Sequence, residues 1–164
     1  MKKLHKQLLL LTFISCSSLL LSAQPYQNAV GIRGGWYNGI TFRHSISESK
    51  YLEGIFTSRW RGFNLTGLYE IQKPLKEDGF DWYYGAGLHI GSFNRYYYYD
   101  HGNPHYLDQG HVLTLGLDGI LGIEYTFSEI PLNLSLDIHP LIELADGGFW
   151  PWYDAALSAR FKIN

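Results

Sequence analysis

Three groupings in this 164-residue chain have the residue types that chemistry needs. The first is His139 with Asp137 and Ser135, spaced two apart on one face of an extended segment. A base beside a hydroxyl, oriented by a third group, is the arrangement of an acyl hydrolase or transferase. His44 lies near Ser45 and Ser47, but alternation turns both serines away from it, so only the first set can converge. The second grouping is the segment 94–111, which holds Tyr96, Tyr97, Tyr98, Tyr99, His101, His105 and Tyr106. Its histidines and aspartates are metal-ligand types, but their spacing matches no established cage. Its tyrosines offer contact area at low entropy cost, suited to a partner, sugar or peptide. The third grouping is a set of charges set among apolar neighbours. It comprises Arg33, Arg43, Glu53, Arg59, Arg61, Glu70, Asp118, Glu124, Asp137, Glu143 and Arg160. All three have a plainer reading: hydrogen-bonded interior groups for the first and third, a solvated loop for the second.

The elements that must position these residues alternate with period two, the mark of strands. Leu113, Leu115, Leu117, Leu121, Ile123, Tyr125 and Phe127 share a face, opposite Thr114, Gly116, Asp118, Ile120, Gly122, Glu124 and Thr126. Leu132, Leu134, Leu136 and Ile138 alternate with Asn133, Ser135, Asp137 and His139. Tyr153, Ala155, Leu157, Ala159, Phe161 and Ile163 alternate with Asp154, Ser158, Arg160 and Lys162. Five shorter segments, begun by Val30, Ile40, Leu52, Phe63 and Trp82, behave alike. The total is eight strands. Asn64-Leu65-Thr66 and Asn133-Leu134-Ser135 match the glycosylation pattern, but both fall inside strands and read as coincidence.

The start of the chain is different. Lys2, Lys3 and Lys6 precede an apolar run from Leu8 to Leu21, and Leu21-Ser22-Ala23 supplies small residues before Gln24. That order predicts a secretory signal over 1–23, cleaved after Ala23. Cys16, the sole cysteine, would leave with it. A lipoprotein box at Phe13-Ile14-Ser15-Cys16 is the alternative, disfavoured by the apolar run continuing past the cysteine. The domain that follows, 24–164, carries 10 basic against 15 acidic residues. That balance excludes a strongly basic nucleic-acid binder. One cysteine excludes a disulfide scaffold.

Alternation alone does not say which face meets solvent: a soluble barrel puts apolar residues inside, a membrane barrel puts them outside. After residue 23 the lysines are Lys50, Lys73, Lys76 and Lys162, three in predicted turns and one at the C-terminus. A soluble barrel would spread lysines over its outer face. The polar face is Gly, Ser, Thr and Asn with Arg, Asp and Glu, which suits a crowded interior. With the N-terminus on the periplasmic side, Trp36, Trp60, Phe63 and Tyr153 fall at one level. Tyr69, Trp82, Tyr84, Tyr125, Phe127 and Phe161 fall at the other. Two aromatic girdles around an apolar band are what the interfaces of a bilayer select. The longest connection, 93–110, falls on the outer side. The stretch 72–81 is long for a periplasmic turn.

These segments resemble the short eight-stranded outer-membrane barrels of the Bacteroidota, of the general OmpA/OmpX architecture. The likeness is densest over Ser58–Glu70, Asp118–Phe127 and Ile130–Asp137. It implies an all-β, antiparallel, up-and-down transmembrane barrel in the outer membrane of a Gram-negative cell. Its partners would be membrane lipid and, during insertion, the barrel-assembly machinery. No cofactor and no catalytic residue are implied. One departure is the C-terminus, Phe161-Lys162-Ile163-Asn164, where such barrels commonly end on an aromatic residue. The expected role is structural, or binding through the outer loops. The alternatives are a lipid-modifying enzyme and a secreted ligand-carrying barrel. In a ring of eight, strands one to three look across at strands six and seven. A basic wall of Arg33, Arg43, Arg59 and Arg61 should therefore face an acidic wall of Asp118, Glu124, Asp137 and Glu143. Glu53, Glu70 and Arg160 would add local partners and close the lumen.

Overall fold

The computed structural model describes residues 27–59, 61–94, 110–145 and 148–163. The predicted signal, Tyr96, Tyr97, Tyr98, Tyr99, His101, His105, Tyr106 and Trp60 lie outside the described residues. Eight strands form a closed barrel in chain order: β1 (Asn28–Gly35), β2 (Asn38–Ser47), β3 (Lys50–Arg59), β4 (Gly62–Pro74), β5 (Phe80–Asn94), β6 (His111–Thr126), β7 (Leu132–Ala145) and β8 (Gly148–Ile163). Every neighbouring pair is antiparallel, and β8 closes on β1.

The stagger of the ring can be read from its pairs. From Val30 the path runs through Phe42, Gly54, Gly67, Leu88, Leu117, Ile142 and Pro151. Pro151 lies five positions beyond Ala156, whose partner is Gly35, itself five beyond Val30. The path thus returns ten residues higher on β1. For eight strands, that shear corresponds to a tilt of roughly 40° and an interior that side chains can fill.

The faces are those of a membrane barrel. Leu113, Leu115, Leu117, Leu121 and Ile123 on β6 point outward, as do Leu134, Leu136 and Ile138 on β7. Between them Thr114, Asp118, Glu124, Ser135 and Asp137 are buried inside. At the end near the chain termini, Phe80, Tyr125 and Phe127 form a ring cluster with centroids 4.7 and 4.8 Å apart, and Trp82 stacks on Tyr84 at 5.1 Å. Lys73 Nζ lies 5.7 Å from both of the latter rings. At the other end Trp36, Phe63, Phe149 and Tyr153 are exposed.

Several strands run further than alternation suggested. β4 reaches Pro74 and β5 begins at Phe80, with Lys73 paired to Trp82 and Pro74 to Asp81. The connection that looked long for its side is therefore a five-residue turn, 75–79, in which Gly79 takes a positive φ of 81°. β7 continues through Pro140 to Ala145. Pro140 has no N–H to give, and the β6–β7 ladder skips the positions around it, from Asp118↔Leu141 to Leu121↔Ile138. Pro151 sits on β8 in the stretch Gly148–Ala155, which rises past the last β1 partner, Gly35.

Candidate functional site

The interior of the barrel is the candidate site. Each inward side chain sits there because the pleat alternates. The interior is layered. On β6 the inward positions run Asp118, Ile120, Gly122, Glu124, so an apolar residue separates two carboxylates. Ile120 packs with Ile55, Leu68 and Tyr83 in an apolar cluster that divides the charges into two groups.

The group nearer the termini centres on Arg43 and Arg160, both fully buried. Arg43, on β2, donates to Glu70 of β4 and, at 2.7 Å, to Glu124 of β6. Its guanidinium lies 4.6 Å from the Tyr83 ring centroid and 5.0 Å from that of Tyr51. Arg160, on β8, donates to Glu53 of β3 at 2.5 Å and to Ser135 of β7 at 2.7 Å, and reaches Glu124 at 3.4 Å. The Thr41 hydroxyl donates to Glu53. Two arginines thus bind carboxylates on three strands, and the planar fork of each addresses several at once.

The second group lies toward the 94–111 end. Arg33 of β1 grips Asp137 of β7 with two bonds, 2.6 and 2.8 Å, and approaches Asp154 at 3.5 Å. Tyr83 donates to Asp137 at 3.0 Å. Gly122 makes room for that tyrosine: a Cβ there would lie 2.5 Å from its Cζ. Asp118 holds two histidines, His89 Nδ1 at 2.7 Å and His139 Nε2 at 2.8 Å.

Arg33 and Arg43 are therefore brought to Asp137 and Glu124 across the lumen, while Asp118 is brought to histidines. Arg61 is not inside. It lies exposed in the β3–β4 turn with a φ of 52°, because β3 ends at Arg59 and the chain must reverse before Gly62. The backbone of Arg59 is in β3; its side chain lies outside the description. The acyl-transfer grouping does not assemble. Ser135 accepts from Arg160, Asp137 is taken by Arg33 and Tyr83, and His139 turns to Asp118. His44 bonds Asn28 at 2.9 Å.

The sequence reading placed Ser135, His139 and His89 on the inward face, as the structure does, and missed Asp154, Tyr83 and Thr41 as members of the interior network. The signal for each was its inward parity. Tyr83 was obscured by its outward neighbours Trp82 and Tyr84.

No family model and no curated protein matches this chain. Among solved structures, the N-terminal β-barrel domain of Pseudomonas aeruginosa OprF aligns with 85% of this chain and 100% of its own length, with a TM-score of 0.68 at 15% identity. At that identity the likeness is one of fold: this chain is similar to a small, OmpA-like eight-stranded outer-membrane barrel domain.

Proposed function

We propose that this chain is a small monomeric outer-membrane protein whose closed, charge-filled barrel serves as a structural element or as a scaffold for surface binding by the 94–111 segment. The observation that carries the reading is the inverted distribution of side chains. Leucines and isoleucines face out along every strand, while Arg33, Arg43 and Arg160 are buried with carboxylates inside. In hydrocarbon all backbone polar groups must be paired, which a closed barrel achieves. Burying charges with their partners leaves no open path for ions.

Export through a cleaved signal, an N-terminus on the periplasmic side and a place among the small barrels of the Bacteroidota belong to the same reading. A catalytic role does not, since Ser135, Asp137 and His139 each have other partners. Planar-bilayer recording tests the closed lumen. The purified protein should give no steady, porin-like conductance, and a stable open level would refute the reading. External proteolysis of whole cells should cut between residues 94 and 111 and leave the rest intact.

A further inference from the structure

The charges of the outer wall are few and gathered in one place. Among the described residues, the outward strand positions hold Lys50 of β3 and Lys73 of β4, no arginine and no carboxylate. Both lysines are exposed and lie at the end near the chain termini, on neighbouring strands. Lys50 pairs with Ile71, so Lys73 stands two residues further along the same face. Diagonal neighbours of this kind are roughly 7–8 Å apart, close enough for two long side chains to converge. Among the described residues neither lysine forms an ion pair. The acids Glu48, Glu77 and Asp78 sit in the turns past the strand ends. Two like charges side by side repel, and an anion between them would relieve that repulsion.

The surroundings select the anion. On β5, Trp82 pairs with Lys73 and Tyr84 with Ile71. The two rings stack at 5.1 Å, and Lys73 Nζ lies 5.7 Å from each centroid. That is within cation–π reach, so the rings restrain the ammonium and less freedom is lost when it takes a ligand. Trp and Tyr on the outside of a membrane protein mark the headgroup level. Toward the middle of the barrel the wall next to the lysines is apolar, with Leu52 and Tyr69 exposed. A soluble anion would gain nothing from that wall. A molecule with a negative head and hydrocarbon chains would gain from both parts.

We propose that Lys50 and Lys73 bind the phosphate of an anionic phospholipid, whose acyl chains lie along Leu52 and Tyr69. The inference rests on the membrane-barrel reading above. Each ammonium acts as a point charge on a flexible stem that can follow the headgroup. A lysine near a membrane surface favours acidic lipid by about fivefold, and here two act on one phosphate. The sector β3–β5 at this end therefore holds a preferred lipid, while the uncharged remainder of the wall does not discriminate.

The test is native mass spectrometry of the refolded barrel in uncharged detergent, with phosphatidylglycerol or phosphatidylcholine of the same acyl chains added. The parent should retain one phosphatidylglycerol in preference to phosphatidylcholine. Lys50→Gln and Lys73→Gln should each reduce that preference roughly fivefold, and the double variant should abolish it. Lys73→Arg should keep it. Lys162→Gln removes a basic group at the same end whose Nζ donates to the Phe127 carbonyl, and it should behave as the parent does. A large excess of inorganic phosphate should not displace the lipid; displacement would mark a site for free anions and overturn the proposal. So would no preference in the parent, a preference unchanged in the folded double variant, or one lost in Lys162→Gln. Folding into vesicles of phosphatidylcholine alone, read by heat-modifiable gel migration, tests the barrel separately. A chain that folds there yet does not select phosphatidylglycerol refutes the lipid site and leaves the barrel standing. The same migration checks each variant; should the double variant not fold, the two single variants decide.

Discussion

Replacing Asp137 by alanine tests the interior network most directly. Asp137 accepts two bonds from Arg33 and one from Tyr83, and the Arg33 and Asp137 side chains are 1% and 0% exposed. Losing one partner of a buried pair costs roughly 3–5 kcal/mol, mostly because the other charge is left stranded. Here Asp154, already 3.5 Å from Arg33, remains as a second acceptor. The expected loss is therefore at the lower end, about 3 kcal/mol. Asp137→Asn keeps the shape and one acceptor and should lose less. Arg33→Met with Asp137→Leu removes both charges, and such a replacement is often neutral or stabilising. Urea unfolding in lipid vesicles, read by tryptophan fluorescence and gel migration, measures all three. The reasoning fails if Asp137→Ala stays within about 0.5 kcal/mol of the parent, well short of the stranding penalty. It also fails if the double variant loses as much as the two single changes added together.

On the outer wall, Leu136→Arg should destabilise the barrel in the same vesicles by roughly 2–4 kcal/mol, the cost of arginine near the midplane. If it unfolds with the parent, the outward face does not meet lipid. Gly122→Ala should displace the Tyr83 ring and weaken its bond to Asp137, which a shift in near-ultraviolet circular dichroism would report; an unchanged spectrum would contradict the packing. N-terminal sequencing of the membrane form should begin at Gln24, and a lipidated Cys16 at the terminus would overturn the cleavage assignment.

The strands and their faces were legible because the pleat imposes period two on any wall with lipid on one side and a packed interior on the other. Where strands stop was less so. The clear alternation ends at His139 and resumes at Tyr153, yet β7 runs through Pro140 to Ala145 and β8 begins at Gly148 and runs through Pro151. The ladder tolerates the first proline by skipping the positions around it and the second where β8 has no β1 neighbour. Arg61 was assigned inward because it keeps parity with Arg59, and a two-residue reversal without Gly, Asn or Pro leaves no mark in that pattern. Inward charges could be recognised one by one, but not their pairing. That depends on stagger: a ten-residue shear sets which levels face each other. It decides that Arg43 meets Glu70 and Glu124 while Asp118 meets histidines.

The β1–β8 seam has a consequence for how the chain folds. Asn28 pairs with Ile163, so the last strand to be synthesised completes the sheet with the first. Closure is thus a contact of very high sequence separation, the kind that slows folding. The interior ties itself to the same event. Arg33 to Asp137 spans 104 residues and Arg160 to Glu53 spans 107. Before the ends meet, these charges lack their partners, and an open sheet in hydrocarbon would present them and its unpaired edges to lipid. Closure and ion pairing should therefore occur together, in one late cooperative step, where water or an assembly factor can still shelter the open edges. Once shut, the ring can reopen only by breaking a seam and several buried ion pairs at once. The predicted result is slow unfolding from the membrane, a persistence governed by the height of that barrier more than by the depth of the folded state.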